Sequence, residues 1–417
     1  MHYLVSEPYM TVRPLAGRRV VELGTMIAAP FATHILSQLG AEIIKVEPPT
    51  GDTTRALVRG GPSGTFLAYN HDKKSIVIDL NAPAGRDVFR KLIGTADVFV
   101  HNLAPASATK LGVAASDLAS ANPELIYCHI RGYGPGPQQD ELATNPVAEA
   151  ATGVMDDHRI DGRPSRLGPS YHDQFAGSYA VIRILATMMS ASPSAADREI
   201  EIGLYETGLH VAARDLAGVQ LKMQLLGRPE REGGGEFSMP GYGAYLSRDA
   251  RWIYLLVLTD AHWQKLTRAL SMPEGDDPAL KQLRQRKKQR DEVEAAVRRA
   301  VGGLDFEEAA ARLRAHGVGF TEVLPVERVL DAPQARQAGK LRTVGFRDLS
   351  FDVPEFPGAR DTPAGLPPPH LGQHTLEVLT ALGYSTEAST EMLSQGTVAI
   401  APEDAFAWAM PRHDPKP

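Results

Sequence analysis

The sequence predicts an α/β protein with an open, largely parallel sheet and helices on both faces. Two observations carry that prediction. Between residues 19 and 134, short apolar runs of strand type alternate with helical segments, the pattern of repeated strand–helix–strand units. Proline and glycine also fall where the first such helix begins and ends. Composition agrees with an ordinary globular chain. Of 417 residues, 43% are hydrophobic and 23% charged, and the length suits two or three domains.

Taken in order, RVVEL at 19–23 reads as a short buried strand. PFATHILSQLG follows as a helix, with Pro30 suited to its first position and Gly40 just past its end. AEIIKVEPP gives the second strand, stopped by Pro48 and Pro49. The pattern continues with SIVIDL at 75–80, a helix over 84–94, DVFVHNL at 97–103, a short helical segment near 114–121, and LIYCHIRGYG at 125–134. In a sheet of this type, ligands bind outside the carboxyl ends of the strands. Neither G-x-x-x-x-G-K-[ST] nor G-x-G-x-x-G follows the first strand, so the pattern does not specify NAD or ATP.

Residues 191–200 mark a turn between helix and strand, and 203–226 reads as helical. The stretch RPEREGGGEFSMPGYGAYLSRDARWIYLLVL is then dominated in its first half by Gly, Pro and charge. Gly233, Gly234 and Gly235 permit backbone angles that other residues resist, which suits either a lid over a reactive intermediate or a plain linker. Residues 262–330 read as helical and charged. The basic run KQLRQRKKQRDEVEAAVRRA is expected to be a solvated helix face, because no aromatic residues interleave.

Several function classes are disfavoured. A net charge of −6 and a pI near 6.1 argue against nucleic acid as the main partner. The single cysteine, Cys128, lies in a strand-like run and is expected to be a buried structural thiol. No apolar run reaches the ~18 residues needed to span a bilayer, and the N-terminus lacks a secretory pattern, so the expectation is a cytoplasmic chain with no membrane partner. His370 and His374 lack the Glu of H-E-x-x-H, and no metal site is expected.

The chemistry centres on RPSRLGPSYHDQFAGSYAVIRILATMM, residues 163–189. Gly168, Pro169 and Ser170 favour a loop, and from about Phe175 the stretch reads as a helix with a face of small residues. Asp173 sits at the junction, where Asp is a preferred N-cap. There the helix dipole would hold its carboxylate ionised and aimed, able to attack an activated acyl group. Arg163 and Arg166, just upstream, suit either surface positions or pairing with the distal carboxylate of a dicarboxylic acid.

This stretch resembles the active-site segment of the family III CoA-transferases, a group that includes formyl-CoA:oxalate and carnitine CoA-transferases and the α-methylacyl-CoA racemases. The resemblance extends along nearly the whole chain. RVVELGTMIAAPFATHILSQLGAEIIKVEPPTGDTTR is similar to the family's opening, with its A-x-P turn and L-G-A-x-[IV]-I-K-[IV]-E-x-P. NHDKKSIVIDL matches N-x-x-K-[RK]-S-[IL]. DVFVHNLAPASATKLGV matches D-[VI]-x-[VI]-x-N-F-x-P-G, departing at Leu103 and Ala104. HLGQHTLEVLTALGY is similar to L-G-[EQ]-H-T-x-x-[VI]-L. The glycine stretch is similar to the family's entry into a small domain, where P-Y-G-x-[YF] precedes a strand pair; here Gly241 separates Pro240 and Tyr242.

The resemblance implies a Rossmann-like large domain formed by residues 1–225 and a returning segment at 331–417. A smaller α/β domain at 226–330 lies between them, and two chains interlock as a homodimer. It implies a CoA-transferase that moves CoA from an acyl-CoA to a carboxylic acid through an aspartyl–acyl anhydride on Asp173, with no cofactor beyond CoA itself. CoA contacts are implied at Met26, Ile27, Ala28, Tyr69, Asn70, Asn102, Leu103 and Lys110, the last near the CoA phosphates. Pro48 stands where a basic residue often follows the second strand, and His172 where Gly usually precedes the nucleophile. The family's racemases add a His at the place of Thr144, which cannot serve as a second base; this favours transfer and leaves α-methylacyl-CoA racemisation as the alternative. Some transferases carry a carboxylate where Asn145 lies, so Asn145, His172 and Arg166 are expected near the acyl substrate.

Overall fold

The computed structural model describes residues 13–57, 62–227, 239–336, 341–347, 349–357 and 365–401. The described chain forms two compact units, one of residues 1–213 with 338–417 and one of residues 214–337.

The first unit is built on a seven-stranded sheet. Its strands are β1 (Arg19–Leu23), β2 (Glu42–Glu47), β3 (Lys73–Ile78), β4 (Val98–His101), β5 (Ile126–Arg131) and β6 (Glu199–Gly203), closed at one edge by a short late strand, Val398–Ala399. Across the sheet the order is late strand, β3, β2, β1, β4, β5, β6. All neighbours pair in parallel except the late strand, which runs antiparallel on β3. The 3-2-1-4-5-6 order is that of doubly wound dinucleotide folds, with its switch point between β1 and β4. β3 begins two residues before the apolar run because the Lys73 side chain is buried and ion-paired.

Both faces of the sheet are covered, so its strands read as continuous apolar runs. Successive residues point to opposite faces. Val20, Ile43, Val98, Val100 and Cys128 pack on one side with α1 (Ala28–Gln38) and the long helix Tyr171–Met189. Val21, Ile44, Ile76 and Phe99 pack on the other, with α3 (Pro83–Ile93) and the helix Thr375–Ala381. Between α1 and α3 lies α2 (Gly64–Asn70). Each fully buried Val, Ile or Phe contributes about 1.5–3 kcal/mol. Cys128 is fully buried and its thiol is pushed up to about 12 by that burial, as suits a structural thiol. After β4 comes α4 (Pro105–Leu111); after β5 come α5 (Asn145–Ala151), α6 (Tyr171–Met189) and, after β6, α7 (Leu204–Val211).

The second unit has an antiparallel sheet of Gly243–Leu246, Trp252–Leu256 and Gly319–Glu322, with the middle strand at its centre. Its core gathers Tyr245, Ile253, Leu255, Trp263, Val297 and Leu313. The strand Gly319–Glu322 corrects the helical reading of 262–330. Four residues with one large apolar side chain give no readable period, and only pairing with Trp252–Leu256 makes them a strand. No helix among the described residues is long and apolar enough to cross a membrane.

Candidate active site

Two polar constructions stand at the carboxyl ends of the strands and over α1. The first is a buried ion network. Glu22 at the end of β1 is fully buried and takes Lys45 on one oxygen and Lys73 on the other, both at 2.7 Å. Lys45 also reaches Asp52 at 2.8 Å. Glu47 holds Arg55 through two bonds of 2.7 Å and accepts from the Ser75 hydroxyl at 2.6 Å. Burial alone would raise these carboxyl groups, but the facing cations win: Glu22 and Glu47 lie below the usual range and Asp52 falls to about 2.

This network fixes the loop between β1 and α1. Lys45 donates to the Gly24 carbonyl at 2.8 Å and Lys73 to the Pro30 carbonyl at 3.0 Å. Thr25 donates its hydroxyl to Asp52 at 2.9 Å. From the far side of the switch point, Asn102 accepts from the Thr25 amide at 3.0 Å and donates to its carbonyl at 2.8 Å. That reciprocal clamp lets Met26 stand exposed in the left-handed region, with φ 64°, a conformation that non-glycine residues pay for and that clusters at ligand sites. Ile27 caps α1 and Ala28 opens it, two residues ahead of the expected start at Pro30. Pro30 still falls in the first turn, where its missing N–H costs no helical bond.

The second construction surrounds Asp173. It is not the N-cap. α6 begins at Tyr171, four residues before the expected start at Phe175, and Asp173 is the third residue of its first turn. Ser170 is the cap residue and makes no side-chain capping bond. The free His172 amide is satisfied from another helix, donating to Asn145 Oδ1 at 2.9 Å. Local sequence cannot show such a cap. The Asn145 amide nitrogen in turn donates to Glu149 at 2.6 Å, and the other Glu149 oxygen accepts from the Leu167 amide at 3.3 Å. Asn145 and Glu149 are both buried.

The electrostatics also correct the expectation of a firmly ionised Asp173. Burial, then the nearby charge of Glu149, raise its carboxyl to about 7. His172 is 2% exposed and burial lowers its basicity, so it stays neutral near pH 7. Thr152 gives its hydroxyl proton to the Ala148 carbonyl at 2.7 Å, and the His172 Nε2 sits 3.4 Å from that hydroxyl oxygen. The ring fits only because Gly208 on α7 lacks a side chain: a Cβ there would lie 2.5 Å from Nε2. Gly208 therefore makes room for the imidazole that stands in place of glycine.

Further along α6, Gly177 lets the helix approach α1, since a Cβ would lie 2.8 Å from the Ala28 carbonyl oxygen. Gln174 donates to the Tyr69 hydroxyl at 2.9 Å, and Tyr69 packs edge-on against Phe31 of α1. Asp173, His172, Asn145, Tyr69, Ala28, Ile27 and Met26 thus lie on a connected set of elements. Asn70 is fully buried and bonded to Lys73 at 3.2 Å and to the Phe66 carbonyl at 3.1 Å. Leu103 is tied down by its carbonyl, which accepts from His129 at 2.8 Å. Lys110 is exposed in the last turn of α4, and Arg166 is exposed, donating to the Gly168 carbonyl at 3.3 Å. Gly233, Gly234 and Gly235 lie outside the described residues. The sequence reading missed Glu149, Gln174 and Gly208, whereas Gly177 belongs to the small-residue face read as suited to close packing. Only Glu149 left a signal, four residues after Asn145 and so one turn away on the same helix face. Among the described residues no cluster of His, Cys, Asp and Glu is placed to hold a metal ion.

Comparison with known proteins gives this geometry a context. The family model for CoA-transferase family III matches residues 15–375. The chain is 30% identical to the human succinyl-CoA:glutarate CoA-transferase, over 93% of this chain and 90% of that one. It is 28% identical to the succinyl-CoA–D-citramalate CoA-transferase of Chloroflexus aurantiacus, over 91% of this chain and 97% of that one. Its fold matches the crystal structure of a CAIB/BAIF family protein from Brucella suis with a TM-score of 0.77 and 26% identity, covering 88% of this chain and 99% of that one.

Proposed function

The chain belongs to the family III CoA-transferases, and from that premise we propose that it transfers CoA between carboxylic acids through a covalent anhydride on Asp173. The supporting observation is a half-buried carboxyl group with no ion-pair partner among the described residues, raised to about 7 at the first turn of α6. The anion of a carboxyl group raised in this way is more basic and more nucleophilic than an ordinary aspartate.

The steps balance without an outside reagent. An Asp173 oxygen attacks the thioester carbonyl, the C–S bond breaks, and the CoA thiolate leaves with the electron pair. The thiolate then attacks the aspartyl carbonyl carbon of the anhydride, releasing the donor acid. The acceptor carboxylate attacks the resulting aspartyl thioester, and the thiolate returns to the acceptor's acyl carbon, freeing Asp173. Acylation removes the negative charge that burial and Glu149 disfavour, so the strain of the free carboxylate is relieved in the intermediate. Holding donor and nucleophile together supplies much of the remaining barrier reduction. The oxyanion formed at each step needs donors, and backbone N–H groups at the start of α6 are the candidates for that role.

CoA lies along Met26, Ile27 and Ala28, with Tyr69, Asn102 and Leu103 lining its path and Lys110 near the phosphates. Asn102 serves by clamping Thr25, and Asn70 by holding Lys73, rather than by contact alone. The relatives act on succinyl-CoA and small di- or hydroxy-dicarboxylic acids by name, so a dicarboxylic acceptor with Arg163 or Arg166 on its distal carboxylate is the favoured class. The working form is an interlocked homodimer in the cytoplasm, acting with no cofactor beyond CoA. Exposed Leu216, Val219, Leu221 and Met223 on the helix Ala213–Leu226 support an apolar partner surface. Racemisation is less well supported: His172, which together with His158 is a possible second base, has its Nε2 against Thr152 and Gly208.

Asp173→Ala tests the assignment. It should lower CoA exchange from succinyl-CoA to a panel of dicarboxylic acids by roughly 10³-fold or more, with fold and oligomeric state kept. Full activity in the variant would end the assignment.

A further inference from the structure

Glu149 is a buried carboxylate that the reaction above does not use. It sits at 0% exposure on α5, one turn after Asn145, with no cation among its hydrogen-bond partners. Its two oxygens do separate work. One accepts from Asn145, whose own carbonyl oxygen accepts the His172 amide; the other accepts from Leu167, in the loop that leads into α6. Both the entry to α6 and its first turn are therefore tied to one side chain. Asp173 follows His172 directly in that turn.

We propose that Glu149 is a positioning residue of the transfer reaction, fixing the first turn of α6 through Asn145 and Leu167. Burial and the nearby charge of Glu149 also raise the Asp173 carboxyl. His172, on its own helix, is held neutral by burial. α1 brings the Ala28 carbonyl and the Phe31 ring against Gly177, α2 the Tyr69 hydroxyl to Gln174, and α7 the bare Gly208 to His172. Both hydrogen bonds that Glu149 accepts come from uncharged donors, Asn145 and the Leu167 amide. A cation there would hold Asp173 ionised, as in the network around Glu22. A lone carboxylate keeps it poised between its two forms.

The part of this inference that concerns turnover rests on Asp173 being the acylated residue; the part that concerns ionisation does not. Carboxyl-labelled aspartate, followed by carbon NMR and assigned by the signal lost in Asp173→Asn, reads the ionisation without substrate. The wild-type midpoint should lie near neutrality, and Glu149→Gln should lower it by about one pH unit. A midpoint unchanged in Glu149→Gln would overturn the charge role. Asn145→Leu keeps the charge and removes the bridge. Amide exchange at His172 should rise at least about tenfold in that variant, with the Asp173 midpoint little moved. Unchanged exchange would overturn the positioning role. Should Glu149→Gln fail to fold, Glu149→Asp keeps the charge but shortens the reach: faster exchange with a near-neutral midpoint supports both roles, and a midpoint at the ordinary aspartate value contradicts the charge role. Failure of the anhydride reading would show instead as full transfer by Asp173→Ala, with these shifts intact.

Discussion

Two sets of carboxylates in the first unit sit in opposite surroundings. Glu22, Glu47 and Asp52 face Lys45, Lys73 and Arg55, and all three carboxyl groups fall below their ordinary range. Asp173 and Glu149 share their surroundings with a neutral histidine, a tyrosine and backbone, and Asp173 rises to about 7. Burial pushes Glu22, Glu47, Asp52 and Asp173 upward; what differs is whether a cation was folded in beside them. The first arrangement makes a rigid platform under the β1–α1 loop. The second leaves one carboxylate reactive.

The largest expected effect breaks the platform. Lys45→Met removes the cation shared by Glu22 and Asp52 and leaves both carboxylates short of partners. Urea unfolding should show a loss of about 3–5 kcal/mol. A loss under about 1 kcal/mol would mean that the network is not what holds the loop.

A smaller effect of opposite sign is expected at the reactive carboxylate. The folded carboxyl of Asp173 is raised, so between about pH 4 and pH 7 the folded state binds more protons than the unfolded chain. Its contribution to stability is present below pH 4 and is lost as pH rises toward 7. Asp173→Asn should therefore stabilise the protein at pH 8 by roughly 1–3 kcal/mol, allowing for partial exposure, and by little at pH 4. Asp52 runs the other way: lowered to about 2, it supports the fold above pH 4 and loses that support as pH falls toward 2. Thermal melts of Asp173→Asn that fall below wild type at pH 8 would remove the contrast between the two groups.

The two regions also differed in how far the sequence disclosed them. The strands β1 to β5 were legible because each is a short apolar run ended by Gly, Pro or a polar turn, and the sheet buries both faces of them. The motifs that carried the family resemblance, among them K-V-E at 45–47 and N-x-x-K-K-S at 70–75, turn out to contain the network itself: Lys45, Glu47, Asn70, Lys73 and Ser75. Asp173 was legible by the same resemblance, but its setting was not. Its cap comes from Asn145, 27 residues earlier. The space for His172 comes from the absence of a side chain at Gly208, and the charge that unsettles Asp173 from Glu149. Contacts between separate helices leave no local periodicity, so the first turn of α6 was misplaced and its carboxylate taken as firmly ionised.

The central claim is that the Asp173 carboxylate becomes acylated. The direct measurement is mass spectrometry of the protein after incubation with succinyl-CoA and hydroxylamine. A hydroxamate at Asp173 that forms only when donor is present is the expected result. An unmodified Asp173 in protein that is turning over the same donor would contradict the account.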